Sequence, residues 1–136
     1  MNNKRYDRFY PGKVWLDTEG KRIQAHGGSI IYTNGKYYLY GENKEKTLPG
    51  SEVWHWGVRL YSSDDLYNWT DEGIIFNPSH DEKSPVHFSQ YLDRPHIIFN
   101  EKTGKYVMWM KIMKKEKMCD QIMVVAVADN ITDEFK

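Results

Sequence analysis

Two short runs rich in Ile and Tyr, Ile30 to Thr33 and Lys36 to Glu42, flank the pair Asn34-Gly35. Such runs around Asn-Gly predict a β-hairpin, because both central turn positions need a positive φ. About 67 residues later, Ile97 to Asn100 and Lys105 to Met110 flank Glu101-Lys102-Thr103-Gly104 and predict the same hairpin with a longer turn. A second unit follows each hairpin. Arg59-Leu60-Tyr61-Ser62-Ser63-Asp64-Asp65-Leu66 is echoed about 65 residues on by Val124-Val125-Ala126-Val127-Ala128-Asp129-Asn130-Ile131. Two units repeating at one spacing predict a repeated four-stranded sheet, the blade of a β-propeller. The expected fold is all-β. Blades come in sets of roughly four to eight. This chain holds about two, so residues 1–136 are expected to be one portion of a single propeller domain.

The remaining pattern fills in the blades. Pro11-Gly12 and Glu19-Gly20 predict turns around a short strand at Lys13 to Leu16. Strand character resumes from Trp54 to Ser62, and Asp64 to Trp69 is a turn feeding an outer strand at Glu72 to Phe76. Asn77 to Gln90, punctuated by Pro78 and Pro85, is the long connection between blades. Residues 91–113 form the second hairpin, Lys114 to Lys117 a basic turn, and Gln121 to Ala128 a strand. Asn130 to Phe135 repeats the earlier turn, with Phe135 in the place of Trp69. The outer strand of the second blade is expected to be missing, leaving open edges through which the chain can self-associate. A weak 3.6-residue pattern at Ile112 to Met118 is the one hint of helix.

Composition narrows the partners. Lys plus Arg and Asp plus Glu are both 19, so the net charge is zero. A nucleic-acid or anionic-membrane surface needs a basic excess, and neither partner is expected. No stretch approaches the ~18 apolar residues of a membrane span. The first eight residues have no apolar run after their basic residues, so no secretory signal is read and the default expectation is cytoplasmic. Cys119 is the single cysteine, which excludes an intrachain disulfide and predicts a small buried hydrophobe. Aromatics make up 15% of the chain, including 10 Tyr and 5 Trp. They suit strand packing, and an aromatic face also stacks on the apolar face of a pyranose.

Carboxylates are the candidate chemistry. Glu42 follows Gly41 at the end of a hairpin strand. If that strand is innermost, its end faces the central channel, where a carboxylate accepts hydrogen bonds from sugar hydroxyls. The bland reading is an exposed strand-end Glu. Asp93-Arg94-Pro95 precedes the second hairpin, and Pro95 is expected to hold Arg94 extended. Asp93 is then at a strand entrance, on the channel or as a turn cap. His26-Gly27-Gly28-Ser29 and Asp93-Arg94-Pro95-His96 hold corresponding places, so both flank one channel. Gly27 and Gly28 would let a ligand approach the backbone beside His26. The five histidines are 26, 55, 80, 87 and 96, with no helical pairing and no thiol cluster, so no metal or other cofactor is expected. Glycoside hydrolysis needs two carboxyl groups across the scissile bond, one of them protonated. Glu42 and Asp93 supply part of such a set, and no third member stands out.

These residues carry a resemblance. Pro11 to Thr18, Ala25-His26-Gly27-Gly28-Ser29-Ile30-Ile31-Tyr32 and Tyr37-Tyr38-Leu39-Tyr40-Gly41-Glu42 resemble the start of glycoside hydrolase family 43, in the branch of exo-acting galactan 1,3-β-galactosidases. Tyr61-Ser62-Ser63-Asp64-Asp65-Leu66-Tyr67-Asn68-Trp69 resembles that family's blade signature, and Asp93 to Asn100 its second-blade motif. The resemblance implies a five-bladed propeller of inverting glycosidases with a base Asp, a tuning Asp and an acid Glu in successive blades. Gly27 lies where most of the family has the base, an absence typical of the galactosidase branch. Asp93 falls on the tuning carboxylate, more often Glu in that branch. Glu42 falls on a substrate-binding carboxylate, and the acid is implied beyond residue 136.

The reading is therefore an N-terminal two-blade portion of a glycosidase acting on a β-galactoside, inactive alone. Asp93 tunes and orients, while Glu42, His26, Arg94, Trp54 and Trp56 meet an oligosaccharide substrate. The alternatives are a non-catalytic carbohydrate-binding or self-assembling piece, and a truncated gene product without function.

Overall fold

The computed structural model describes residues 5–136. Among them the regular structure is all strand: β1 (His26–Thr33), β2 (Lys36–Glu42), β3 (Val58–Ser63), β4 (Thr70–Phe76), β5 (Tyr91–Asn100), β6 (Lys105–Lys114) and β7 (Lys117–Ala128). They form two antiparallel meanders, β1-β2-β3-β4 and β5-β6-β7. The first is a complete four-stranded blade. The second lacks a full fourth strand, although Lys136 exchanges both backbone hydrogen bonds with Val127, at 2.8 and 3.0 Å.

The predicted hairpins form where the turn residues put them. Asn34 and Gly35 have φ of +50° and +77°, as a two-residue turn in a twisted hairpin requires. The register runs Tyr32↔Tyr37 and Ile30↔Leu39 in blade one, and Phe99↔Tyr106 and Ile97↔Met108 in blade two. Alternation then sorts the side chains. Tyr38, Tyr40, Val58 and Leu60 of blade one face Leu92, Ile97, Met108, Met110, Ile112 and Ala126 of blade two, and this sheet-on-sheet layer is the main core. Ile131 and Phe135 close it at the outer end. A second cluster of Ile23, Leu39, Tyr61 and Trp69 lies apart from it.

The structure corrects four expectations. Residues 13–16 form no strand, only the single bridge Leu16↔Arg22. Strand β3 starts at Val58 rather than Trp54, because the N–H groups of Trp54 and His55 bond to the carbonyl of Phe88 instead of a neighbouring strand. The 3.6-residue pattern at 112–118 belongs to the β6–β7 hairpin. That hairpin's end carries residues exposed on both faces, so Cys119 is exposed and not a core residue.

Candidate active site

The two innermost strands, β1 and β5, each begin with a bulge. The register of β1 against β2 jumps between His26 and Ser29, and that of β5 against β6 between Asp93 and His96. A bulge kinks the strand and re-aims its side chains. Both bulges contain a left-handed residue, Gly27 at φ +56° and Arg94 at φ +51°. Arg94 is therefore not extended, although Pro95 follows it: the bulge fixes its φ, and a contact across the blades holds it there. The two bulges touch. A Cβ on Gly27 would lie 3.7 Å from the backbone nitrogen of Arg94 and 3.1 Å from Oε1 of Glu42.

Glu42 sits at the centre of this junction. Its side chain is 1% exposed, so it is not a solvated strand end. Oε2 accepts from Lys44 Nζ at 2.8 Å, and Oε1 accepts the backbone N–H of Arg94 at 3.3 Å. Burial pushes its carboxyl above the usual range, and Lys44 pulls it back in part. Asp93 pairs in register with Lys111, whose Nζ lies 2.9 Å from Oδ2. Arg94 Nε is 3.7 Å from the same oxygen. One residue thus links the two carboxylates, through its backbone to Glu42 and through its side chain to Asp93.

The aromatic candidates separate. Trp54 is 38% exposed, and its ring stacks on Tyr91 with centroids 4.2 Å apart. Lys44 donates to the Trp54 carbonyl at 2.7 Å and lies 4.2 Å from the ring centroid, so a single ammonium ties Trp54 to Glu42. Trp56 packs instead against His80 and Phe88, with Lys46 Nζ 3.4 Å from its centroid. His26 is exposed and pairs in register with Glu42. The neighbouring glycines do not make room for a ligand. The place of a Cβ on Gly28 is filled by the Tyr40 carbonyl at 2.1 Å, and that on Gly27 by Glu42.

Sequence reasoning missed Lys44, Lys111 and Tyr91. Lys44 is two positions past Glu42, and Tyr91 two before Asp93. In extended chain each pair shares a side, which was a readable signal. Lys111 could be found only after the bulge was placed, because the bulge shifts the register. Among the described residues no group of three or more His, Cys, Asp or Glu is placed to hold a metal ion. Two surface clefts, of about 500 and 620 Å³, line the Ser62–Thr70 turn and the segment from Arg5 to Leu16, away from this junction.

Neither a family model nor a curated protein matches the chain. Solved structures do. A family-43 β-1,3-galactosidase solved with galactodeoxynojirimycin shares 40% identity over 92% of this chain and 36% of its own, with a TM-score of 0.79. An exo-β-1,3-galactanase from Phanerochaete chrysosporium, solved with β-1,3-galactotriose, shares 30% over 92% of this chain and 28% of its own, at 0.80. An exo-β-1,3-galactanase from Clostridium thermocellum shares 30% over 92% and 25%, at 0.77. The chain spans about a quarter to a third of the length of these relatives. It belongs to glycoside hydrolase family 43, beside the β-1,3-galactosidases, as a two-blade portion of their β-propeller.

Proposed function

We propose that the chain supplies the first two blades of an inverting, exo-acting glycosidase that releases galactose from a β-galactoside. The observation that carries this reading is the 40% identity, over nearly the whole chain, to a β-1,3-galactosidase solved with a galactose-like iminosugar. The junction of the two bulges is the sugar subsite in this reading. Asp93, held by Lys111, orients the reacting groups and tunes the pKa of the acid. Glu42 acts through the groups it holds, fixing Arg94 and Lys44 on either side. Trp54, backed by Tyr91, offers its exposed surface to the pyranose, and the exposed His26 lies in register with Glu42 at the same junction. Trp56 belongs to the supporting layer beneath. The family resemblance puts the general acid on another blade, so these two blades bind sugar without cleaving it.

The test is an assay of the purified 136-residue chain on β-1,3-galactotriose, paired with an NMR titration by galactose. We expect no galactose release, together with millimolar binding that Asp93→Ala weakens several-fold. Turnover by this chain, lost in Asp93→Ala, would place the complete catalytic set within two blades and overturn the assignment of the acid. Absence of any galactose binding would overturn the sugar subsite.

A further inference from the structure

Arg94 and Gly27 hold the same place in the two blades. Each lies within the register jump of an innermost strand, and each has left-handed backbone. Glycine adopts that conformation freely, whereas a residue with a Cβ is strained in it. Blade one uses glycine. Blade two keeps an arginine where glycine would serve the backbone equally well, since the N–H bonded to Glu42 does not depend on the side chain. Strain retained beside a candidate site points to a use for the side chain.

That use is not stability. The Arg94 side chain is 81% exposed, and its ionic contact to Asp93 is long, at 3.7 Å. An exposed pair at such a distance contributes little. Asp93 is already held by Lys111 at 2.9 Å, and Lys44 by the buried Glu42 at 2.8 Å. Of these three cations around the bulges, Arg94 alone has no close carboxylate of its own.

We propose that Arg94 is a specificity-determining residue that selects a galactoside carrying an anionic group, a carboxylate or a sulfate ester, which the guanidinium fork grips in bidentate fashion. This rests on the reading of the junction as a sugar subsite. Lys111 offsets the charge of Asp93, so an anion can approach the guanidinium without meeting a bare carboxylate.

The experiment is an NMR titration of the 136-residue chain with galactose, galacturonate and galactose 6-sulfate, which separates the two sources of charge. At least one of the anions should bind about tenfold more tightly than galactose, the scale of one charge-assisted pair. Arg94→Gly should abolish that preference and leave the melting temperature unchanged or raised. Arg94→Lys, with the charge but not the fork, should retain part of the preference. Equal affinity for all three sugars, or a preference that survives Arg94→Gly, would overturn the inference while leaving the galactoside reading intact. A melting temperature several degrees lower in Arg94→Gly would make the side chain structural and overturn it as well. Absence of binding to any of the three sugars by the native chain would sink both readings together.

Discussion

His55 is fully buried and uses both ring nitrogens. Nδ1 accepts the N–H of Gly57 at 3.1 Å, and Nε2 donates to the carbonyl of His87 at 3.2 Å. That pattern needs the neutral ring with its proton on Nε2. Burial pushes the imidazole pKa down to about 4. The unfolded chain binds a proton below its ordinary value of about 6.5, and the folded chain resists it. The stability this group contributes is therefore complete above about pH 6.5 and is lost as pH falls through about 4, on the order of 3 kcal/mol in all. We expect the melting temperature to fall between pH 7 and 4.5 by more in the native chain than in His55→Gln. Parallel pH profiles would refute this. Glu42 runs the other way: its raised pKa makes its contribution greatest at low pH, fading as pH rises through the raised value. Neither burial was readable from sequence, since Glu42 meets the bulge of β5 and His55 meets the connection between β4 and β5 that folds back on it.

The strand-and-turn elements divide by the range of their contacts. The turn after β3 was legible because its bonds are local. Ser63 Oγ accepts the N–H groups of Asp65 and Leu66, Asp65 accepts those of Tyr67 and Asn68, and Trp69 Nε1 donates to the Leu66 carbonyl. The β1–β5 bulges were not legible. Their residues were placed correctly side by side, but the left-handed twist of Arg94 depends on Glu42 of the other blade. The same holds for Tyr40, a fully buried residue whose hydroxyl accepts the N–H of Ile97 at 3.0 Å and so joins β2 to β5. Tyr40→Phe should cost about 1–3 kcal/mol in urea denaturation, because it strands a buried amide. A loss below about 0.5 kcal/mol would show that this hydroxyl is not a junction bond.

At the scale of the whole molecule, one sheet face lacks a cover. In blade two Ile98, Trp109, Val125 and Val127 are exposed. By register, Trp109 and Val125 stand where Tyr40 and Leu60 stand in blade one, and there the same positions are buried against the next blade. An apolar sheet face of this kind drives association. Five blades cannot be divided into whole two-blade units, so head-to-tail packing of copies would not close a family-type ring. We expect light scattering to give a mass that rises with concentration without settling at one ring size, and Val125→Lys to return the chain to a monomer. A constant monomer mass at high concentration would exclude self-assembly.

Local order was decided by the sequence itself. Asn34-Gly35 set one turn, Ile/Tyr alternation set the hairpin strands and the Ser63-to-Trp69 motif set another turn, because each rests on contacts between residues close along the chain, while the repeat spacing marked the second blade as a copy of the first. The tertiary structure alone decided that Glu42 is buried rather than solvated, that Lys111 neutralises Asp93, that Trp54 and not Trp56 reaches the junction, and that Arg94 is left-handed. Each of those outcomes needs one blade laid against another, or a bulge that shifts which residues face each other, and no pattern within a single strand encodes either.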